Sequence, residues 1–284
     1  YRNAKGETID ERLVRKPEIG NALHTTIDAG LQTFFLTRLE EAITEIGSRG
    51  GVGLAMDPRS GEILSLISLP SFDNNEITEE ALQDSRRPLF NRAIAGVYTP
   101  GSTIKPLHAL AALAEHVVTP DRRFFSPGYL ELPNPYVPDK PSRFLDWKAH
   151  GWVDIVSAIA RSSNVYFYTI GGGYKDFDGL GIVRLKDYWQ RFGLGEKTGI
   201  DLPSEARGFL PDPDLKERAT GDAWRVGDTY NVSIGQGDLL ITPLQLLNYI
   251  VAFANNGTLY EPFLVKPVVG YEGNVLKETT PRVI

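Results

Sequence analysis

The chain has 284 residues, of which 42% are hydrophobic and 23% charged, a globular balance that excludes disorder and coiled coil. A net charge of −6 with no run of Lys or Arg excludes a nucleic-acid surface. The absence of Cys excludes disulfides, thiolate catalysis and zinc fingers.

Residues 1–23 are polar, of mixed charge and without periodicity, and read as a linker or the end of another domain. Asp28 then caps an amphipathic helix in which Leu31, Phe35, Ala42, Ile43 and Ile46 recur at helical spacing, closed by residues 47–51. Apolar runs at 52–56 and 62–69 flank Asp57-Pro58-Arg59-Ser60-Gly61, the pattern of a β-hairpin. Residues 70–100 carry Pro, Asn and Asp clusters and read as surface chain. Pro100-Gly101 leads through Ser102 and Lys105 into an Ala/Leu-rich helix at 107–118. Residues 119–150 hold six prolines and several aromatics, an irregular insertion of the kind that shapes a cleft. A helix over 153–160 is interrupted at 161–164 and resumes through Tyr168, and another helix covers 180–192 before Gly193. Residues 195–230 read as loop.

Residues 239–260 carry no charge over 22 residues, long enough to span a bilayer. Thr242-Pro243 reads as a helix start and Asn255-Asn256-Gly257 as a stop, however, which leaves a short helix for a soluble core. Two extended runs, 263–269 and 274–277, close the chain. Helices on a sheet, with strands at the two ends of the sequence, predict an α+β fold.

The four histidines (His24, His108, His116, His150) are scattered without an H-E-x-x-H pattern, and read as surface or packing residues rather than metal ligands. The informative element is Ser102-x-x-Lys105. Three residues is about one helical turn, so hydroxyl and amine share a face. The helix start and partial burial both favour the neutral amine, a general base beside its nucleophile.

Ser102-Thr103-Ile104-Lys105 and, sixty residues on, Ser162-Ser163-Asn164 resemble the S-x-x-K and S-x-N motifs of the penicillin-binding and serine β-lactamase group. Thr26-Ile27-Asp28, Asp57-Pro58-Arg59-Ser60-Gly61-Glu62, Asn91-Arg92-Ala93, Gly199-Ile200-Asp201-Leu202-Pro203 and Ile234-Gly235-Gln236-Gly237 with Thr242-Pro243 extend the resemblance. Over about residues 20–284 the chain is similar to class B penicillin-binding proteins of the elongation type. The resemblance implies an antiparallel sheet flanked by helices, a pedestal-domain remnant or linker at 1–23, and a partial transpeptidase domain at 24–284, incomplete at its C-terminal end. It implies D,D-transpeptidation with Ser102 as acylated nucleophile, Lys105 as base, Ser162 as proton relay and Asn164 as ligand of the substrate amide, with no metal or organic cofactor. Stem peptides of peptidoglycan would be substrates, β-lactams would acylate the same serine, and a membrane glycosyltransferase would be the partner. The work would be done at the periplasmic face of the inner membrane, anchored by a segment outside this chain.

Lys197-Thr198-Gly199 has the form of the third motif, K-[ST]-G, but comes only 33 residues after Asn164 in a Gly/Pro-rich loop. The resemblance places the true third motif on a strand beyond Ile284, which would leave this chain inactive alone. The alternatives are a serine β-lactam hydrolase, and a non-catalytic β-lactam sensor or cell-wall complex component.

Overall fold

The Asp28 carboxylate accepts a hydrogen bond from Leu31 N at 2.9 Å and starts α1 (Ala29–Ile46), which Gly47 closes in the left-handed region at φ 66°. The computed structural model describes residues 5, 7, 8, 20–134 and 139–284. In chain order these form β1 (Ala22–Thr25), α1, β2 (Gly51–Met56), β3 (Ile63–Leu69), α2 (Glu79–Gln83), a 3₁₀ turn (Gly101–Ile104) and α3 (Lys105–Ala114). There follow β4 (Phe124–Ser126), β5 (Tyr129–Leu132), β6 (Ser142–Leu145), β7 (Gly151–Val153), α4 (Ile155–Ala160), α5 (Asn164–Gly172) and α6 (Gly181–Arg191). The last elements are α7 (Pro213–Thr220), α8 (Val226–Ser233), α9 (Pro243–Ala254), β8 (Val265–Val269) and β9 (Val275–Glu278). The α+β class is as expected. Most of the 1–23 linker segment lies outside the described residues, but β1 takes in Ala22 and Leu23, on the linker side of the boundary.

The sheets are small and antiparallel. A three-stranded sheet runs β1-β8-β9, and three separate pairs are β2-β3, β4-β7 and β5-β6. The predicted hairpin forms, among the described residues, a two-stranded ribbon in register from Gly51↔Leu69 to Ala55↔Ser65. The outer edge of β3 is already occupied. Asp28 N donates to Leu64 O at 3.0 Å, and the Gln32 side-chain amide of α1 both donates to Leu66 O and accepts from Leu66 N, at 2.9 Å each. A side-chain amide there copies the hydrogen bonding of a neighbouring strand and blunts that edge. On the other side, β2 makes no backbone hydrogen bond to any element but β3 among the described residues.

Two apolar clusters hold the layers together. Ile104, Leu107 and Ala111 pack with Phe167, Ile170, Leu185, Trp189 and Tyr230, joining α3, α5, α6 and α8. Met56, Ile63, Ala93, Ile94, Leu244 and Val251 join the hairpin to α9. The α9 start is a reciprocal cap: Gln245 N donates to Thr242 Oγ1 at 3.1 Å and Thr242 N to Gln245 Oε1 at 2.9 Å. Its Leu244 and Tyr249 are fully buried, as expected of a core helix, and no helix among the described residues is long and apolar enough to cross a membrane.

Four expectations need correction. Residues 70–100 are not all surface chain, since they hold α2 and send the buried Ala93 and Ile94 into the core. The 195–230 loop contains α7 and α8; Asp212 caps α7 through Leu215 N at 2.7 Å, and Gly221 ends it at φ 77°. The 107–118 helix starts at Lys105 and stops at Ala114, where His116 enters the left-handed region at φ 54°. The proline-rich insertion is not wholly irregular, since it supplies β4, β5 and β6.

Candidate active site

Ser102 sits on the 3₁₀ turn before α3 and is exposed. The turn is clamped from behind. Gly101, at φ 58°, donates its N–H to Gly235 O at 2.8 Å, and a Cβ on Gly235 (φ 72°) would stand 2.0 Å from Gly101 O. Only glycine permits that approach at that backbone angle. Tyr98 and Ile241 exchange backbone hydrogen bonds at 2.9 Å just upstream, and the Tyr249 hydroxyl donates to Thr103 O. Segments far apart in sequence thus fix the turn that carries the hydroxyl.

Lys105 opens α3 and is 1% exposed. Its Nζ donates to Ser162 O at 2.9 Å, to Ser162 Oγ at 3.1 Å and to Asn164 Oδ1 at 2.7 Å, and stands 5.3 Å from the centre of the Phe167 ring. Burial lowers its pKa from 10.5 to about 8, against the pull of the Asp146 charge, which favours the ammonium. The Ser162 hydroxyl donates to Ser102 Oγ at 2.8 Å. Ser162 therefore stands between the exposed serine and the buried lysine, and among the described residues no direct hydrogen bond joins Lys105 to Ser102.

The second half of the site comes from the predicted helix interruption. α4 begins with a reciprocal Asp154–Ser157 cap and ends at Ala160, and Ser163 caps α5 by accepting from Tyr166 N. Between them Ser162 adopts φ 53°, a left-handed conformation that is costly for a residue with a Cβ and that clusters at functional sites. Asn164, the first residue of α5, is fixed at both ends of its amide, by Lys105 Nζ and by Leu145 O at 3.3 Å from Nδ2. All four residues singled out in the sequence are thus within one hydrogen-bonded group.

Two further side chains bear on this group: Asp146, which the sequence did not single out, and His108, which it read as a surface or packing residue. Asp146, from the proline-rich insertion, accepts from Ser163 Oγ and Val165 N, both at 3.0 Å. Burial alone would raise its pKa, but the Val165 and Asn164 N–H groups and the Ser163 hydroxyl outweigh burial and keep it below the ordinary carboxylate value. A lone Asp among aromatics and prolines carries no periodic signal that could have marked it. His108, one turn after Lys105, is fully buried. The Trp189 indole N–H can only donate, so His108 Nε2 accepts it at 2.8 Å and Nδ1 carries the proton given to Ser233 O at 2.9 Å. Burial pushes its pKa down to about 4, so the ring is a neutral strut between α3, α6 and α8.

Lys197-Thr198-Gly199 is engaged elsewhere. Thr198 N and Oγ1 both donate to Glu205 Oε1 at 2.7 Å, and Gly199 N donates to Oε2 at 3.2 Å. The segment is a loop closed on its own glutamate.

Residues 51–283 match the penicillin binding protein transpeptidase domain. The chain is 37% identical over 280 residues to the peptidoglycan D,D-transpeptidase MrdA of Haemophilus influenzae, covering 94% of this chain and 40% of that protein. It therefore spans about two fifths of that relative's length. The crystal structure of Pseudomonas aeruginosa PBP2 in complex with WCK 5153 superposes with a TM-score of 0.71 at 34% identity, over 93% of this chain and 59% of that one. A peptidoglycan synthase complex that coordinates polymerization and crosslinking gives 0.78 at 30% identity, over 100% of this chain and 49% of that one. With the serine, lysine and asparagine of two separate helix starts drawn into one group, and the match running through both, the chain belongs to the penicillin-binding protein transpeptidase family.

Proposed function

We propose that this chain carries the acyl-enzyme chemistry of a peptidoglycan D,D-transpeptidase, with Ser102 as nucleophile, Lys105 as base, Ser162 as relay and Asn164 as ligand of the substrate amide. The supporting observation is the line of hydrogen bonds from exposed Ser102 Oγ through Ser162 Oγ to buried Lys105 Nζ. A lysine near pKa 8 is neutral in an appreciable fraction at mildly alkaline pH. At the ordinary value only about one in a thousand would be neutral near pH 7.5.

In the acylation step Ser102 Oγ bonds to the carbonyl carbon of the penultimate D-Ala. Once Lys105 Nζ has lost a proton the two hydroxyls turn over, so that Ser102 donates to Ser162 Oγ and Ser162 to Nζ. The Ser102 proton then passes to Ser162 Oγ while the Ser162 proton passes to the neutral Lys105 Nζ. The Ser102 N–H, among the first donors of its turn and so without an intrahelical partner, supports the oxyanion. Collapse breaks the amide C–N bond, and the departing D-Ala nitrogen takes a proton back from the Lys105 ammonium through Ser162. The amine of a second stem peptide then attacks the ester, and the same relay runs again. A β-lactam presents a strained amide to the same oxygen.

The reading extends to peptidoglycan stem peptides as substrates and to the periplasmic face as the place of work. A membrane glycosyltransferase is the proposed partner, supported by the similarity to a complex that couples polymerization with crosslinking. The test is intact-mass spectrometry of the full-length gene product after benzylpenicillin. One adduct is expected, and none in Ser102→Ala. An adduct that survives that substitution, or that maps to Ser162, overturns the assignment.

A further inference from the structure

The turn at 162–165 has two sides. The side chains of Ser162 and Asn164 bond to Lys105, while Ser163 Oγ and Val165 N bond to Asp146, which the Asn164 N–H also faces. The Asp146 side chain is fully buried, and Ser163 is 0% exposed. Its Oδ2 takes the Ser163 hydroxyl and Val165 N–H at 3.0 Å and faces Ser126 Oγ of β4 at 3.4 Å; its Oδ1 takes Trp147 N at 2.9 Å. His150 Nε2 lies 3.5 Å from Oδ1, but neither His150 ring nitrogen makes a hydrogen bond among the described residues, where donors from the turn, β4 and the loop orient the carboxylate. A left-handed Ser162 persists only where its surroundings fix it, and Asp146 grips the residues that follow it.

We propose that Asp146 is a positioning residue for acylation, its buried carboxylate holding residues 163 and 165 so that Ser162 Oγ and Asn164 Oδ1 meet Lys105. This rests on the reading of Ser102 as nucleophile. Asp146 acts on Lys105 in a second way, because its negative charge favours the ammonium. Among the described residues the other groups around Nζ are Ser162, Asn164 and the Phe167 ring, all uncharged, and His108 on its own helix, neutral and committed to Ser233 and Trp189. Asp146→Asn keeps the shape, weakens the grip and removes the charge. The turn loosens, and Lys105 titrates at lower pH.

The experiment measures the rate of fluorescent penicillin acylation by the full-length gene product from pH 6 to 10, with the final adduct mapped by mass spectrometry. One adduct on Ser102 in every variant keeps the reading of the nucleophile intact; its loss or relocation in the unsubstituted protein would defeat that reading and not this one. Displacing a reacting group by an ångström costs about 10²-fold, so Asp146→Asn should lower the rate roughly 10- to 100-fold above pH 9. The rising limb of its pH profile should move to lower pH, so that the deficit shrinks below pH 8. A merely structural role would lower the melting temperature and leave the limb in place. Ser163→Ala, which removes one bond to the carboxylate and keeps the charge, should slow acylation several-fold with the limb unmoved. It decides the question of positioning if Asp146→Asn does not fold, because a merely structural loss, the α5 cap included, would lower the melting temperature and leave the acylation rate of the folded fraction at the unsubstituted value. Rates above pH 9 within about 2-fold of the unsubstituted protein in either variant, or a slowed Asp146→Asn whose limb stays put, overturn the proposal.

Discussion

Replacing the buried base by Lys105→Met exposes its energetic cost. The fall in pKa from 10.5 to about 8 amounts to about 3 kcal/mol, at about 1.4 kcal/mol per unit. Below pH 8 the folded and unfolded chains both carry the proton, and the folded state bears the whole cost. Between pH 8 and 10.5 only the unfolded chain holds the proton, so the contribution of Lys105 to stability climbs by about 1.4 kcal/mol per pH unit. Above the unfolded value it is level. Met keeps the aliphatic stem and cannot titrate. Urea unfolding of both proteins, followed by tryptophan fluorescence at pH 7, 8, 9 and 10, gives a difference curve from which every other titrating group cancels. Wild type should gain on the variant by about 2 to 3 kcal/mol between pH 7 and pH 10, nearly all of it above pH 8. Parallel stability curves would refute the claim that burial keeps this amine near neutrality, and with it the explanation of how Ser102 is activated.

Three further substitutions test the surroundings of the site. Lys197→Ala should leave penicillin labelling within a few-fold, since Thr198 and Gly199 are closed on Glu205; a loss of about 10²–10³ would mark Lys197 as part of the oxyanion side. Gly235→Ala puts a Cβ 2.0 Å from Gly101 O at φ 72°, and should cost at least about 2 kcal/mol in urea unfolding and slow labelling more than about tenfold. Trp189→Phe leaves buried His108 Nε2 without a donor, which should cost about 1–3 kcal/mol of stability while labelling of the folded fraction stays within a few-fold.

The site was legible where chemistry needs particular residue types at short spacing. Ser102 and Lys105 are one turn apart, and Ser162-x-Asn164 declares itself by breaking a helix. The helix caps at Asp28 and Thr242 were legible for the same reason, since each is a local hydrogen bond written in neighbouring residues. Asp146 was not, because its partners Ser163 and Val165 are 17 and 19 residues away and no local rule connects them. α8 was hidden by its own composition: Gly227, Thr229, Asn231 and Val232 are poor helix formers, and tertiary packing of Tyr230 and Val232 makes the helix. α7 is a different miss, as Asp212-Pro213 and Gly221 are ordinary start and stop signals set in a polar stretch with no apolar stripe to draw attention. The pairing of β1 with β8, Ala22 against Val269, depends on the whole chain between them.

The clamp behind Ser102 also sets when in the life of the molecule the serine becomes reactive. Its turn leans on Gly235 and on the hydroxyl of Tyr249, a residue 146 positions downstream of Thr103. During synthesis Ser102, Lys105 and Ser162 emerge well before those supports, and closing so long a loop comes late because its entropy is lost before any contact repays it. A nascent chain that ends short of α9 would have all four site residues and yet leave the nucleophile's turn unbraced. On the proposed role of Ser102, covalent capture of penicillin would thereby report tertiary closure: chains stalled before Tyr249 should stay unlabelled, because the turn that carries the hydroxyl still lacks its brace.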